Sequence, residues 1–464
     1  MNEIIKCKCG IVGIWNKTKE DVDFPNILDK LQHRGRESAG MTYLDENSNF
    51  QSKKDIGLVN EVFKNDKLIN SKGIIGHVRY STSGNSKLSY EDSLNEIQPF
   101  TNEIFSLAHN GNIPDYFLKD YTNKNSDSLI IVNFLKEKLV NNNWQETLLE
   151  FTEKFKYAYC LLILTKNSLI VLRDAFGYRP LSLGINQDNN YIVASENVAF
   201  VKYNKVRDIL PGECIEINDN GINQLFHNDI LKNNSNKYLQ KCIFEYVYFM
   251  KPESIADNNF VYQNRFEMGR ILAKEEKYIT GYDYIVIGSP NTGIPGGKGY
   301  AAQMGLKYLQ ALRKKSDCGR TFILPSQEAR MKFLKKFDFD YDDIRNQKII
   351  LVDDSIVRGN TIKSLSKFFR EDCNVKEFHM RVLSPPVKFP CFYGIDIPTK
   401  EELIANKIES YNFKNENQKI QKIAEISGLD TLQYISIEGM KSIYRNDKVN
   451  FCDACFSGKY NELF

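Results

Sequence analysis

No stretch of eighteen consecutive apolar residues occurs in the sequence, so no membrane-spanning helix is expected. The apolar runs that do occur, such as 157–165, have the length of strands. Net charge is nearly absent: 62 Lys and Arg face 59 Asp and Glu, a formal +3. So balanced a chain argues against nucleic acid or an anionic membrane as the main partner. Histidine is scarce, at five in 464 residues, and can contribute little to a metal site. The opening MNEIIKCKCGIVGIW lacks the pattern of a secretory signal. A cytoplasmic protein is expected, and there ten cysteines do not read as disulfides. Cys160, Cys214, Cys318 and Cys373 read as small core residues, which leaves chemistry or metal binding to the others.

What is present is a chain too long for one core, 42% hydrophobic and 26% charged, which suggests two or three soluble domains. From residue 9 to about 225 the pattern is one of short strands, at 10–15, 38–43, 73–80, 105–110, 158–165, 168–174 and 191–195. Helical patterns cover 26–32 and 127–139. Antiparallel sheets with helices packed outside fit this order. The polar stretch 223–238 reads as a boundary. Beyond it strands alternate with helices: strand 282–288, a glycine-rich loop and helix 300–313, then strand 348–353, a loop and helix 362–370, then strand 375–382. That alternation predicts a parallel sheet with its sites at the C-terminal strand ends. A further helix is expected at 416–427.

Cys9 stands directly before the first strand. Freed as a first residue, it would carry its own general base, an α-amine with a pKa near ~8. The neighbouring segments offer what hydrolysis of a carboxamide needs. Asn110 and Gly111 can donate to an oxyanion. Arg79 can grip an α-carboxylate in two-pronged fashion, and Asp127 can take an ammonium. Each has a plainer reading: Cys9 as a strand-edge thiol, Arg79 as a surface ion pair, Asp127 as a neighbour of the helix cap Ser126. His33, His77 and His109 read as structural, because the α-amine makes another base unnecessary.

The segments CGIVGI, LQHRG, GHVRYST, HNGN and SDS stand in the order found in class-II glutamine amidotransferases, which this half resembles. RDAFGYRPLS at 173–182 and Ala194-Ser195-Glu196 add to the likeness. The resemblance implies an N-terminal-nucleophile αββα sandwich, with Cys9 as nucleophile and amine base. It places Asn110 and Gly111 in the oxyanion hole, Arg79 and Asp127 on glutamine, and Gly35 in the loop beside the nucleophile. Arg36 departs from the Gln usual at its position.

In the second half, an apolar strand ends in Asp353-Asp354 and a glycine-containing loop opens a helix, VDDSIVRGNT. Backbone N–H groups there form an anion nest, and the paired carboxylates suit Mg²⁺ or sugar hydroxyls. A capped turn with solvated acids is the bland alternative. Ser289–Gly293 offers a second anion loop. This half resembles the type-I phosphoribosyltransferases, an α/β fold with a parallel sheet. The likeness implies that Asp353 and Asp354 hold ribose hydroxyls or Mg²⁺, and that Thr292 holds the diphosphate. Arg358, Gly359, Asn360, Thr361 and Lys363 then lie along the phosphate loop, and Arg320 and Arg330 belong to a flexible closing loop. Asn360 and Ile362 replace hydroxyl residues usual in the phosphate loop, Asn291 stands where relatives often carry an acid, and Phe337 stands near a usual basic position.

Cys452 and Cys455 form a C-x2-C pair, with Cys242 and Cys391 as candidate companions. From the residues alone, four thiolates suit tetrahedral zinc or a [4Fe–4S] cluster. The two halves together resemble the amidophosphoribosyltransferases, and the cysteine contexts match the branch with a structural [4Fe–4S] cluster. That branch implies a propeptide at 1–8, a glutaminase domain at 9–235 and a phosphoribosyltransferase domain at 236–464. It also implies conversion of glutamine and phosphoribosyl diphosphate to phosphoribosylamine, a zymogen form, purine nucleotides as inhibitors and a homotetramer. A glutaminase joined to another synthase and an inactive scaffold are the competing readings. VDDSIVRG speaks against the first, and the joint presence of Cys9, Arg79, Asn110 and Asp127 against the second.

Overall fold

The structure is a computed structural model that describes residues 9–66, 68–79, 89–113, 126–228, 232, 237–314, 337–395, 397, 399–408, 413–444 and 450–461. The first half builds two antiparallel sheets. One has seven strands in the order Asn204–Asp208, Ser182–Ile185, Tyr191–Ala194, Gly10–Trp15, Gly73–Arg79, Ser38–Leu44 and Phe50–Ile56. The other has six, in the order Gly221–His227, Glu213–Asn218, Leu169–Arg173, Tyr159–Thr165, Phe105–Gly111 and Phe100–Thr101.

Near-continuous apolar strands such as GIVGIW and YCLLILT are buried on both faces. Ile11, Trp15, Ile75, Ala108, Leu162 and Val171 pack together in the core between the sheets. Helices Asp127–Lys138 and Trp144–Lys154 cover the outer face of the second sheet, and Phe24–Asp29 covers that of the first. The result is the four-layer αββα sandwich the motifs imply. Helix Trp144–Lys154 went unread in the sequence, although Asn143 and Glu146 form a reciprocal capping box at its start.

The second half holds a five-stranded parallel sheet in the order Lys307–Leu309, Tyr284–Gly288, Lys348–Asp353, Glu377–Val382 and Thr431–Tyr434. The helix expected at 300–313 instead spans Ile294–Met304. Pro295 sits in its first turn, where a missing N–H is harmless. Gly305 ends it in the left-handed conformation, and Lys307–Leu309 continues as a strand. The polar stretch 223–238 also differs from expectation, since strand Gly221–His227 runs into it.

The two halves meet through specific pairings. The Lys241 N–H donates to the Phe176 carbonyl at 3.3 Å and the Cys242 N–H to the Tyr178 carbonyl at 3.1 Å. Tyr178 of the first half stacks on Tyr393 at 4.4 Å between ring centroids. Among the described residues, no helix is long and apolar enough to cross a membrane.

Candidate active sites

Cys9 is buried at the head of the central strand Gly10–Trp15. That strand pairs with Gly73–Arg79, bringing Gly10 opposite Val78 and Arg79 to the same end. The Gln32–Gly35 turn closes over this end. A methyl on Gly35 would lie 2.5 Å from the Val78 carbonyl carbon and 2.6 Å from the Arg79 carbonyl, so only glycine allows the approach.

Ser195 ties the neighbouring strands together. Its hydroxyl accepts from the Ile11 N–H at 3.1 Å and from Asn110 Nδ2 at 3.4 Å. The Asn110 amide is thereby held beside strand Gly10–Trp15, which follows Cys9. Gly111 follows at the end of the same strand as Asn110.

Asp127 opens helix Asp127–Lys138, and its carboxylate accepts from the Ile113 N–H at 3.0 Å. Ser126 occupies the N-cap without a side-chain capping bond, so Asp127 is not a bystander to a serine cap. Ser128 donates to Asp127 and bonds His109 Nδ1 at 2.9 Å and Gln98 Nε2 at 3.0 Å. Burial pulls the His109 pKa below its ordinary value, against the pull of Asp127. His109 is therefore a neutral strut behind Asp127. Arg79 pairs with Glu96, a residue the sequence reading did not single out. A substrate carboxylate would share this guanidinium with Glu96.

Behind Cys9 lies a buried ionic network. Arg34 Nε donates to the Cys9 carbonyl at 3.2 Å. Its other nitrogens reach Glu196 at 2.5 Å and Glu245 at 2.9 Å. Glu196 also bonds His33 at 2.7 Å and accepts from the Lys251 N–H at 2.9 Å. Glu245 is shared with Arg179 at 3.1 Å, and Arg179 donates to the Gly394 carbonyl. Arg34, Arg179, Glu196 and Glu245 are each at most 2% exposed. Burial alone would raise the Glu196 pKa, but His33 and Arg34 outweigh it and hold the carboxyl well below the usual range. These residues sit in motifs visible in the sequence, yet only the fold joins partners as far apart as Arg34 and Glu245.

The second site forms at the C-terminal ends of parallel strands Tyr284–Gly288 and Lys348–Asp353. Thr292 donates to Asp354, and Ser355 donates to the same carboxylate at 2.6 Å. The Ser289 N–H donates to the Val352 carbonyl at 2.9 Å, which locks the two loops together. Burial and the adjacent Asp354 charge push the Asp353 pKa above the ordinary carboxylate range. Gly359 takes the left-handed conformation, φ 81°, at the N-cap of helix Asn360–Lys367.

Lys363 on that helix is exposed. Arg358 turns to Glu402 at 3.0 Å. The side chains of Asn360 and Thr361 lie outside the described residues, as do Arg320, Arg330 and Met1–Lys8.

The four candidate cluster cysteines come from three separate segments. Cys242 pairs in register with Cys452, Cys455 follows on a short helix, and the Lys388 N–H donates to the Cys455 carbonyl at 3.0 Å. Cys391, three residues on from Lys388, accepts from the Tyr393 N–H at 3.3 Å. Burial raises the thiol pKa values of Cys242, Cys452 and Cys455, and each further feels the charge of Cys391. Among the described residues, no three His, Cys, Asp or Glu side chains are arranged around a single ion.

A glutamine amidotransferase domain family model matches residues 85–202. The chain is 37% identical to the amidophosphoribosyltransferase of Mycobacterium tuberculosis, covering 98% of this chain and 86% of the relative. It is 34% identical to that of Archaeoglobus fulgidus, with 97% of each covered. It superposes with a TM-score of 0.80, at 33% identity and 97% coverage of each chain, on glutamine phosphoribosylpyrophosphate amidotransferase from B. subtilis complexed with ADP and GMP. The chain belongs to the amidophosphoribosyltransferase family, whose enzymes transfer glutamine-derived ammonia to 5-phosphoribosyl 1-diphosphate in the first step of purine biosynthesis.

Proposed function

We propose that residues 9–235 hydrolyse glutamine at Cys9 and that residues 236–464 add the released ammonia to phosphoribosyl diphosphate. Removal of Met1–Lys8 would free the Cys9 α-amine to take the thiol proton. The sulfur adds to the carboxamide carbon, with Asn110 and Gly111 receiving the oxyanion. Collapse releases ammonia and leaves a thioester, which water cleaves to glutamate. Arg79 and Asp127 hold the amino-acid end, and Gly35 shapes the loop over it. In the second site, ammonia attacks C1 and diphosphate leaves, giving 5-phosphoribosylamine. Thr292, Asp353, Asp354, Arg358, Gly359, Asn360, Thr361 and Lys363 bind and orient that substrate, with Arg320 and Arg330 in the loop that covers it. The observation that carries this reading is the grouping of Cys9, Gly35, Arg79 and Asn110 at one strand end, with Asp127 anchored to the chain just past Gly111.

Two groups fit the residues present. The paired acids at 353 and 354, one pushed up by burial and its neighbour's charge, suit Mg²⁺. When bound, it would neutralise the leaving diphosphate. Cys242, Cys391, Cys452 and Cys455 suit a structural [4Fe–4S] cluster. Each thiolate of such a cluster binds its own iron, so no single-ion cage is required. The remaining parts of the reading are cytoplasmic location, a homotetramer and inhibition by purine nucleotides. The nucleotide assignment draws on the B. subtilis neighbour, whose complex contains ADP and GMP.

Intact mass and metal analysis of anaerobically purified protein tests processing and cluster together. A chain starting at Cys9 with iron and sulfide bound is expected. A full-length, iron-free protein that makes phosphoribosylamine from glutamine would overturn both.

A further inference from the structure

Arg265 is the one large cation in the second half that is completely buried yet makes no ion pair among the described residues. It lies on helix Val261–Lys274. Nε donates to the Tyr246 carbonyl at 2.8 Å and Nη2 to the Met250 carbonyl at 2.9 Å. Nη1 is buried without a partner. Burial pulls its pKa down to about 10, against the opposing fields of Asp354 and Glu196, one carboxylate from each side of the molecule. An unpaired buried guanidinium is a substantial energetic liability, and two backbone carbonyls are a modest return for stability alone.

Its position gives it a purpose. The two carbonyls belong to the single-turn π-helix Glu245–Phe249 and its cap, Met250. The first residue of that turn, Glu245, holds Arg34, and Arg34 holds the Cys9 carbonyl. Just past its other end, the Lys251 N–H and Ser254 hydroxyl hold Glu196. Arg265 thus bridges both ends of the segment that supplies Arg34 with its counter-ions. On its far side, helix Val261–Lys274 is pressed against helix Ile294–Met304. A methyl on Gly269 would lie 1.9 Å from the Gly296 carbonyl. The second helix starts directly after the loop whose Thr292 bonds Asp354.

We infer that Arg265 is a positioning residue of the glutamine half-reaction: it fixes the Glu245–Met250 segment so that Arg34 holds Cys9 in a geometry tied to the phosphoribosyl diphosphate loops. The inference rests on the reading of Cys9 as nucleophile. Arg79 and Asp127 do not depend on this segment, so glutamine binding is preserved while turnover falls.

The test uses the full, anaerobically prepared enzyme with Arg265→Met and Arg265→Lys. With Arg265→Met, glutamine-dependent kcat falls at least about tenfold, while the glutamine KM and the ammonia-dependent rate stay within about threefold. The ratio of glutamate released to diphosphate released also departs from that of the parent. Arg265→Lys, which can still donate to carbonyls, recovers part of the loss. Equal loss of both activities with a lowered thermal midpoint, or no change in either, overturns the inference. If Arg265→Met does not fold, an unchanged activity ratio in soluble Arg265→Lys overturns it equally. Cys9→Ser, run alongside, separates the two readings. Glutamine-dependent turnover that survives in Cys9→Ser defeats the nucleophile assignment, whereas a dead Cys9→Ser with neutral Arg265 variants defeats only the inference.

Discussion

The glutamine site and the phosphoribosyl site solve opposite electrostatic problems. Behind Cys9, buried cations and anions are matched: Arg34 and Arg179 against Glu196 and Glu245. At the strand ends of the second half, Asp353 and Asp354 are held by hydroxyls and backbone, with Asp353 pushed up by burial and by the charge of Asp354. The first arrangement is complete from protein groups and suits a covalent step that needs a fixed nucleophile. The second is an acid pair, which on the proposed reading would have its charge relieved by a cation arriving with the substrate. On the proposed reading, pre-assembly belongs to one half of the molecule and assembly on binding to the other.

The sharpest way to break that contrast is Cys9→Ser, expected to lower glutamine-dependent synthesis by about a thousandfold or more, with product recovered when ammonia is supplied in solution. Asp354→Asn should act in the reverse sense. The ammonia-dependent rate falls on the order of tenfold to a hundredfold, while the protein's stability in the absence of substrate is maintained or increased, measured by thermal unfolding.

Glu245→Gln strips a carboxylate from two buried arginines and should destabilise the fold by about 3 kcal/mol, read from denaturant unfolding. The smallest effect is in pH. The folded pKa of Glu196 is depressed, so its stabilisation is present above the unfolded value near ~4.5 and is lost as pH falls toward the folded value. Stability curves for the parent and Glu196→Gln should therefore be separated near neutrality and converge in acid. A separation that widened in acid would contradict the network.

Elements with strong local signals were legible in the sequence. Strand 10–15, strand 348–353 and the start of the helix at 127 coincide with the structure. The helix at 294–304 was misplaced because its glycines imitate a loop, while tertiary packing calls for them: a methyl on Gly296 would lie 2.3 Å from Leu383, and one on Gly297 3.1 Å from Gly288. The residues proposed to act on a ligand were picked out from motif and chemistry. Those that act on other residues were not: Ser195, Ser128 and Glu96 show their roles only through partners brought close by folding. Arg34 and Glu245 show this plainly, 211 positions apart in sequence and 2.9 Å apart in space.

That separation has a consequence for synthesis on the ribosome. Chains emerge in order, at about 5–20 residues per second, and domains begin to fold as they appear. The strands that carry Cys9, Arg79 and Asn110 are all delivered while Glu245 is still to be made. For that interval Arg34 has only Glu196 to answer its charge, and the Lys251 N–H that steadies Glu196 is also missing. On the reading of Cys9 as nucleophile, a nascent chain is built in an order that leaves the setting of the thiol incomplete until the second half has begun to appear.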